Sequence, residues 1–311
     1  MEEELGGVLD EGSGKSFFKE ASTVEKLLQR DTFLRDKTAA STVCDILSEY
    51  QEFGELLDGH LEMMVTALFD MVIARIRSTR IEEDEKVFAI PDTEGLQRVF
   101  NVIYTLCKVR GHKTVVKFFP HDVRDLEPCL DLLMQQKRLD FDSWQIRYGL
   151  LLWLSILVLI PFDLATVDTL ATTAAQTTSE SATSEGESTV DENNPEADDE
   201  RIAQAVARQG GLVWRLTTLA QSYLSDAGPS REAAAILLGK LFARSDLHAD
   251  RLRAFCHWTR KILRSKATTT ASSAPNSDSA SSAPAGNAGA LEAGAVSSAN
   301  PSPNPVLAES A

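Results

Sequence analysis

The chain has 311 residues, of which 43% are apolar and 25% charged, and it carries a net charge of −15. Those proportions exclude a collagen-like or wholly disordered chain, and the length allows about two domains at roughly 100–200 residues each. An acidic body repels phosphate backbones, which argues against nucleic acid as a partner. The four cysteines, Cys44, Cys107, Cys129 and Cys256, are too scattered for a zinc framework or a dense disulfide scaffold and read as reduced cytosolic thiols.

Residues 1–15 are acidic and glycine-containing, and are expected to be loose. From 16 to 165 apolar residues recur at helical spacing. Phe17, Val24, Leu27 and Leu28 outline a first helix, and Val43, Ile46, Leu47 and Tyr50 a second. Leu57, Leu61, Met64, Leu68 and Met71 form a longer stripe, followed by Leu96, Val99, Phe100, Ile103 and Leu106. Asp125 precedes a segment with Pro128 in its first turn and Leu126, Leu130 and Leu133 as its stripe, a helix start signal because proline lacks an N–H the first turn would leave unpaired. Trp144, Tyr148, Leu151 and Leu152 lead into the apolar run from Leu150 to Ile160, which Pro161 stops. That run is far short of the about 20 residues a bilayer requires, and Arg147 and Asp163 close it off, so it reads as a buried core helix.

Residues 166–200 have almost no large apolar side chain after Leu170, and 179–200 hold nine acidic residues and no basic one. Such a segment cannot offset the entropy of ordering, so a disordered acidic insertion is expected. Helical spacing resumes over 201–265. Leu212, Leu216, Leu219 and Tyr223 form one stripe, and a turn spans 226–230. Ala234, Leu237, Leu238 and Leu241 form the next stripe, and Leu252, Phe255, Thr259 and Ile262 the last. Within 201–264 eleven basic residues face four acidic ones. Residues 266–311 are a low-complexity tail of Ser, Ala, Pro, Gly and Asn, expected to be disordered. With no period-2 strand pattern anywhere, the chain reads as all-α. Roughly nine short helices without sustained heptads suit a HEAT/armadillo-like α-solenoid of stacked helical hairpins.

Chemistry is sparse. Gly14-Lys15-Ser16 resembles the end of a phosphate loop, but Leu9 stands where the leading glycine belongs and no buried strand precedes it. His60, His112, His121, His248 and His257 are never three or four apart, so no helix face offers two metal ligands. Adjacent Cys256 and His257 point about 100° apart on a helix, which does not make a nucleophile–base pair. Glu82 to Glu85 lack calcium-loop spacing. No catalytic, cofactor-binding or metal residue is assigned, and a binding or scaffolding protein is left. One stretch stands apart: Lys108, Arg110 and Lys113 surround Gly111, where a helix should break, with Phe118 and Phe119 beside it. Either these cations form a contact loop for an acidic partner, or the stretch is a helix corner in which they pair internally, with Asp122 or Asp125.

Several ordered blocks resemble the N-terminal region of the tubulin-folding cofactor D (tubulin-specific chaperone D) family. They are Val109-Arg110-Gly111-His112-Lys113-Thr114, Phe119-Pro120-His121, Leu126-Glu127-Pro128, the run from Trp144 to Ser155, and Leu159 to Asp163. Arg231 to Ala235 and Phe255-Cys256-His257-Trp258 continue the resemblance, which covers about 17–263. Family members are much longer HEAT/armadillo-type proteins. The resemblance implies a non-enzymatic cytoplasmic chaperone that binds β-tubulin and associates with microtubules. It implies action with tubulin-folding cofactors C and E and an ADP-ribosylation-factor-like small GTPase in assembling and taking apart the αβ heterodimer. With cofactors C and E it implies stimulation of GTP hydrolysis by tubulin, with no bound cofactor. Tubulin contacts in that family are spread over the solenoid, so no single contact residue carries over. The competing reading is an armadillo-like adaptor with no tubulin role.

Overall fold

The computed structural model describes residues 17–29, 32–82, 93–138, 140–168 and 195–272. The phosphate-loop fragment, the acidic residues 83–85, most of the insertion and residues 273–311 lie outside that range. The chain divides into a unit over 1–263 and a second over 264–311, of which 264–272 continue a helix. Among the described residues, all regular structure is helical.

The α-helices are α1 (Ala21–Leu28), α2 (Lys37–Ser48), α3 (Leu61–Glu82), α4 (Thr93–Leu106), α5 (His112–Val115), α6 (Leu126–Gln135) and α7 (Trp144–Leu157). After them come α8 (Leu164–Val167), α9 (Pro195–Gln209), α10 (Gly211–Tyr223), α11 (Pro229–Phe242) and α12 (Ala249–Ser272). They pack as successive hairpins: α1 on α2, α3 on α4, α6 on α7 and α10 on α11. The second helices stack in a row, α2–α4–α7–α11, and the first helices in a parallel row, α1–α3–α6–α10. This two-layer arrangement is what short helices with one apolar stripe must adopt, because no single hairpin can cover its own stripe.

The α7 helix sits at the centre of the second row, between α4 and α11 and against α6. Every residue from Ile146 to Ser155 is buried, as a helix apolar on all sides requires. Most of its polar groups are paired locally, although Gln145 Oε1 and Arg147 Nε are buried without a hydrogen-bond partner among the described residues. The Arg147 guanidinium donates to the carbonyls of Lys137 (2.9 Å) and Asp140 (2.5 Å) and to Ser143 Oγ (3.0 Å), strapping the preceding loop to the helix. Gly149 is in contact with Phe100 of α4, and a Cβ there would meet Phe100 Cδ1 at 2.3 Å. Beyond the end of α7, Arg244 donates to the carbonyls of Val158, Ile160 (2.8 Å) and Phe162 (2.6 Å), while Asp246 holds its other edge. Backbone acceptors after a helix end are often paired by such a cation.

Several expectations are corrected. Phe17 lies outside α1 and is exposed, while Val24 and Leu28 are buried. Leu57 is buried, but in a 3₁₀ turn over Gln51–His60 rather than on α3. Asp125 stands immediately before α6, as expected, but its side chain makes no capping hydrogen bond there; it ends a 3₁₀ turn, Val123–Asp125, at whose start Asp122 accepts the Arg124 N–H at 3.0 Å. The helix α9 begins at Pro195, inside the expected insertion, because a proline in the first turn followed by Glu196 and Asp198 is a good helix start next to the N-terminal dipole. At the other end α12 runs on to Ser272, past the expected limit of 265. Its stripe is met in part: Phe255 packs on the core as expected and Ala254 is buried, whereas Leu252 and Ile262 are exposed.

Candidate partner-contact surfaces

The basic corner is built from the end of α4. Instead of stopping at Leu106, the helix widens into a π-turn, Cys107–Gly111, in which Cys107 and Val109 stay buried. Gly111, at φ 91°, then breaks it, a conformation that costs a residue with a Cβ far more than glycine. The turn is pressed onto the 3₁₀ segment: a Cβ on Gly54 would lie 2.5 Å from the Val109 carbonyl oxygen. That contact aims Arg110 at Asp58, where Nε and Nη2 both donate to the carboxylate, Nη2 to Oδ2 at 2.7 Å. The expected acids are therefore wrong: Asp122 pairs with its neighbour Arg124, and Arg110 reaches the 3₁₀ turn instead.

The Arg110 hydrogen bonds, with the charges of Arg110 and Lys117 adding to them, hold the Asp58 carboxyl below its ordinary value. A depressed folded-state pKa contributes stability above the unfolded value of 3.8 and loses it as pH falls through the folded value. Asp58→Asn is thus expected to lower stability slightly at neutral pH and to equal wild type once pH is well below 3.8. The size should be that of an exposed pair, about 0.2–1 kcal/mol. Chemical denaturation of both proteins across that range checks it, and an unchanged difference at low pH would count against the assignment.

Lys108 and Lys113 are exposed and have no hydrogen-bond or ion-pair partner among the described residues. The aromatic residues beside them are core. Phe119 is buried with its ring 4.5 Å from that of Phe69, which in turn meets Trp153 edge-on at 5.0 Å. Trp153 Nε1 donates to the Pro120 carbonyl at 2.7 Å. The Phe119-Pro120 block and the Trp144–Ser155 block are thus two sides of one packing contact. Among the described residues no group of His, Cys, Asp or Glu is placed to hold a metal ion, and Cys256 lies exposed on α12.

A second surface went unrecognised in the sequence. The helix α9 is pinned to α12 by two acids: Asp198 accepts from Arg253 at 2.8 Å, and the buried Asp199 from Arg253 at 3.1 Å and Arg260 at 3.0 Å. Between α9, α10 and α12 lies a groove of about 250 Å³ with Trp214, Phe255 and Trp258 on its lining, together with Arg251 and Lys261. Phe242, Phe255 and Trp258 stack in series, at 4.4 and 5.9 Å between ring centres. The basic excess of 201–264 is the visible signal; of the α9 residues on the lining, only Glu200 falls within the expected insertion, while Ala203 to Ala207 lie in the segment expected to be helical.

Hairpins stacked in two rows define an armadillo-type helical-repeat protein. Residues 47–263 match the family model described as tubulin-specific chaperone D-like, ARM repeat, and the chain belongs to that family. It is 28% identical over 132 residues to tubulin-specific chaperone D of Dictyostelium discoideum, a match covering 39% of this chain and 9% of that protein. It is 26% identical over 156 residues to tubulin-folding cofactor D of Schizosaccharomyces pombe, covering 50% of this chain and 10% of the relative. The matched region thus spans a tenth or less of the length of these relatives. No solved structure matches the chain. Among the described residues no helix is long and apolar enough to cross a membrane.

Proposed function

We propose that this chain acts as a tubulin chaperone that binds β-tubulin and takes part in assembling and taking apart the αβ heterodimer. Its co-workers are cofactors C and E and an ADP-ribosylation-factor-like small GTPase. With cofactors C and E it promotes GTP hydrolysis by tubulin without a catalytic site of its own, in the cytoplasm and at microtubules. The observation that carries this reading is the family match over 47–263. A two-row helical stack supports it, because such a stack offers a long surface to a folded partner and needs no pocket. Of the basic corner, Lys108 and Lys113 are the residues proposed to meet an acidic partner surface, and Arg110 fixes the turn through Asp58.

The test is capture of purified αβ-tubulin by the full chain at two salt concentrations, with a binding titration. The expected outcome is capture that weakens with salt, since exposed charges are screened over about 8 Å at physiological ionic strength. Changing Lys108 and Lys113 together to alanine should slow association severalfold and leave the melting temperature unchanged, because rim charges act on encounter. A folded wild-type chain that captures no tubulin at low salt overturns the proposal. Capture indifferent to salt and to the double change removes the corner from it.

A further inference from the structure

The groove between α9, α10 and α12 has features that packing alone does not explain. Its volume of about 250 Å³ is below the roughly 300–1,000 Å³ of small-molecule sites, so it suits one or two side chains of a peptide better than a cofactor. Its lining is mainly apolar and includes the half-buried rings of Trp214, Phe255 and Trp258, Phe255 lying stacked between Phe242 and Trp258. Apolar faces of this kind beside a few polar groups mark binding surfaces.

The charges at the groove have one sign in excess. Arg253 and Arg260 are consumed by Asp198 and Asp199. Arg251 and Lys261 are not. Arg251 Nη1 is buried with no hydrogen-bond partner among the described residues, and a buried unpaired donor on a cation is costly to leave unmade. Lys261 is exposed on the lining, and against these two stands one lining carboxylate, Glu200. Burial also pulls the Arg251 guanidinium below its ordinary pKa, although the nearby Asp168 charge opposes this; a carboxylate placed on it would restore that loss.

The geometry points to a docking site for an acidic linear peptide of a partner protein. A carboxylate of the peptide pairs with the Arg251 guanidinium at the groove lining, Lys261 draws a second, and an aromatic or large apolar side chain lies among Trp214, Phe255 and Trp258. Charge-assisted hydrogen bonds to arginine supply specificity, and the aromatic contact supplies most of the burial. This assignment does not rest on the tubulin reading, and the two succeed or fail separately.

The experiment uses the full chain and a fluorescein-labelled, glutamate-rich peptide with a single central phenylalanine, followed by anisotropy. The controls are the same peptide with lysine for glutamate, the same peptide with alanine for phenylalanine, and a labelled oligothymidylate. The acidic phenylalanine peptide should bind, weaken as salt is raised, and bind about tenfold or more worse to Arg251→Gln, the loss expected for one charged hydrogen bond. Lys261→Glu, at an exposed position, should weaken binding severalfold with an unchanged circular dichroism spectrum and melting temperature, so the proposal stays testable should Arg251→Gln unfold. Alanine for phenylalanine in the peptide should also lower affinity. No binding of the acidic peptide overturns the inference. So does binding indifferent to Lys261→Glu, equal binding of the lysine peptide, or tighter binding of the oligothymidylate.

Discussion

Leu152→Asp is expected to be severely destabilising. Leu152 is 1% exposed at the centre of α7, where that helix is enclosed by α4, α6 and α11. Losing the burial of such a side chain costs about 1.5–3 kcal/mol, and a carboxylate there would be an unpaired charge in an apolar site. The total should be about 4 kcal/mol or more, a large part of the 5–15 kcal/mol typical of a folded domain. At about 2–4 °C per kcal/mol for a unit of this size, the melting temperature should fall by roughly 10 °C, or the protein should fail to fold. Leu152→Met, which conserves volume, should stay within about 1.5 kcal/mol. Thermal melts of the three proteins decide it; an aspartate variant that melts with wild type would mean that α7 is not the core helix described above.

Gly149→Ala should also be destabilising, and it tests packing against propensity. In an exposed helix interior, alanine is favoured over glycine by about 1 kcal/mol. At position 149 the new Cβ would lie 2.3 Å from Phe100 Cδ1 and 2.7 Å from Cε1, closer than any real contact. Overpacking of this kind typically costs about 1–3 kcal/mol, so the variant should be destabilised despite the better helix former. Phe100→Leu removes the obstructing ring, and the double mutant should be more stable than the sum of the two single losses by about 1 kcal/mol or more, a coupling that only contacting residues show. Denaturant titration of wild type, both single variants and the double variant gives the cycle. A stabilising Gly149→Ala, or additive losses, would separate α4 from α7 at this point.

The parts of the fold that were legible in sequence are those set by one-dimensional periodicity. The stripes Val43–Leu47, Leu96–Leu106, Leu130–Leu133 and Ala234–Leu241 are buried as their spacing requires. The exceptions have physical causes that a stripe cannot report. Leu57 sits in a 3₁₀ turn because the segment is pressed on the Val109 carbonyl, with room at Gly54 for no side chain. The partner of Arg110 depends on the direction a π-turn gives it, and Asp58 lies fifty-two residues away in sequence. On the last helix Phe255 packs on the core as its place in the stripe requires, but the helix lies against α9, so Ala254 is buried while Leu252 and Ile262 are exposed. For the candidate surfaces, the basic character of Lys108, Arg110 and Lys113 was visible. Their division into one anchored and two outward cations was not, because it depends on a non-local ion pair.

The buried Asp168, just after α8, accepts the Leu212 N–H at the start of α10 at 2.6 Å. That bond closes a clasp at the base of everything between the two residues. The row of second helices passes from α7 to α11, and the row of first helices from α6 to α10, so the helices on either side of that bond are held in register by packing directly on one another. Loop-closure entropy grows only by about 0.6 kcal/mol for each doubling of length. The solenoid can therefore accept a longer or shorter, more or less charged connection between Asp168 and Leu212 while the helices on either side keep their places. In a fold that otherwise tolerates little change between consecutive hairpins, this is where new sequence can be acquired at almost no structural cost.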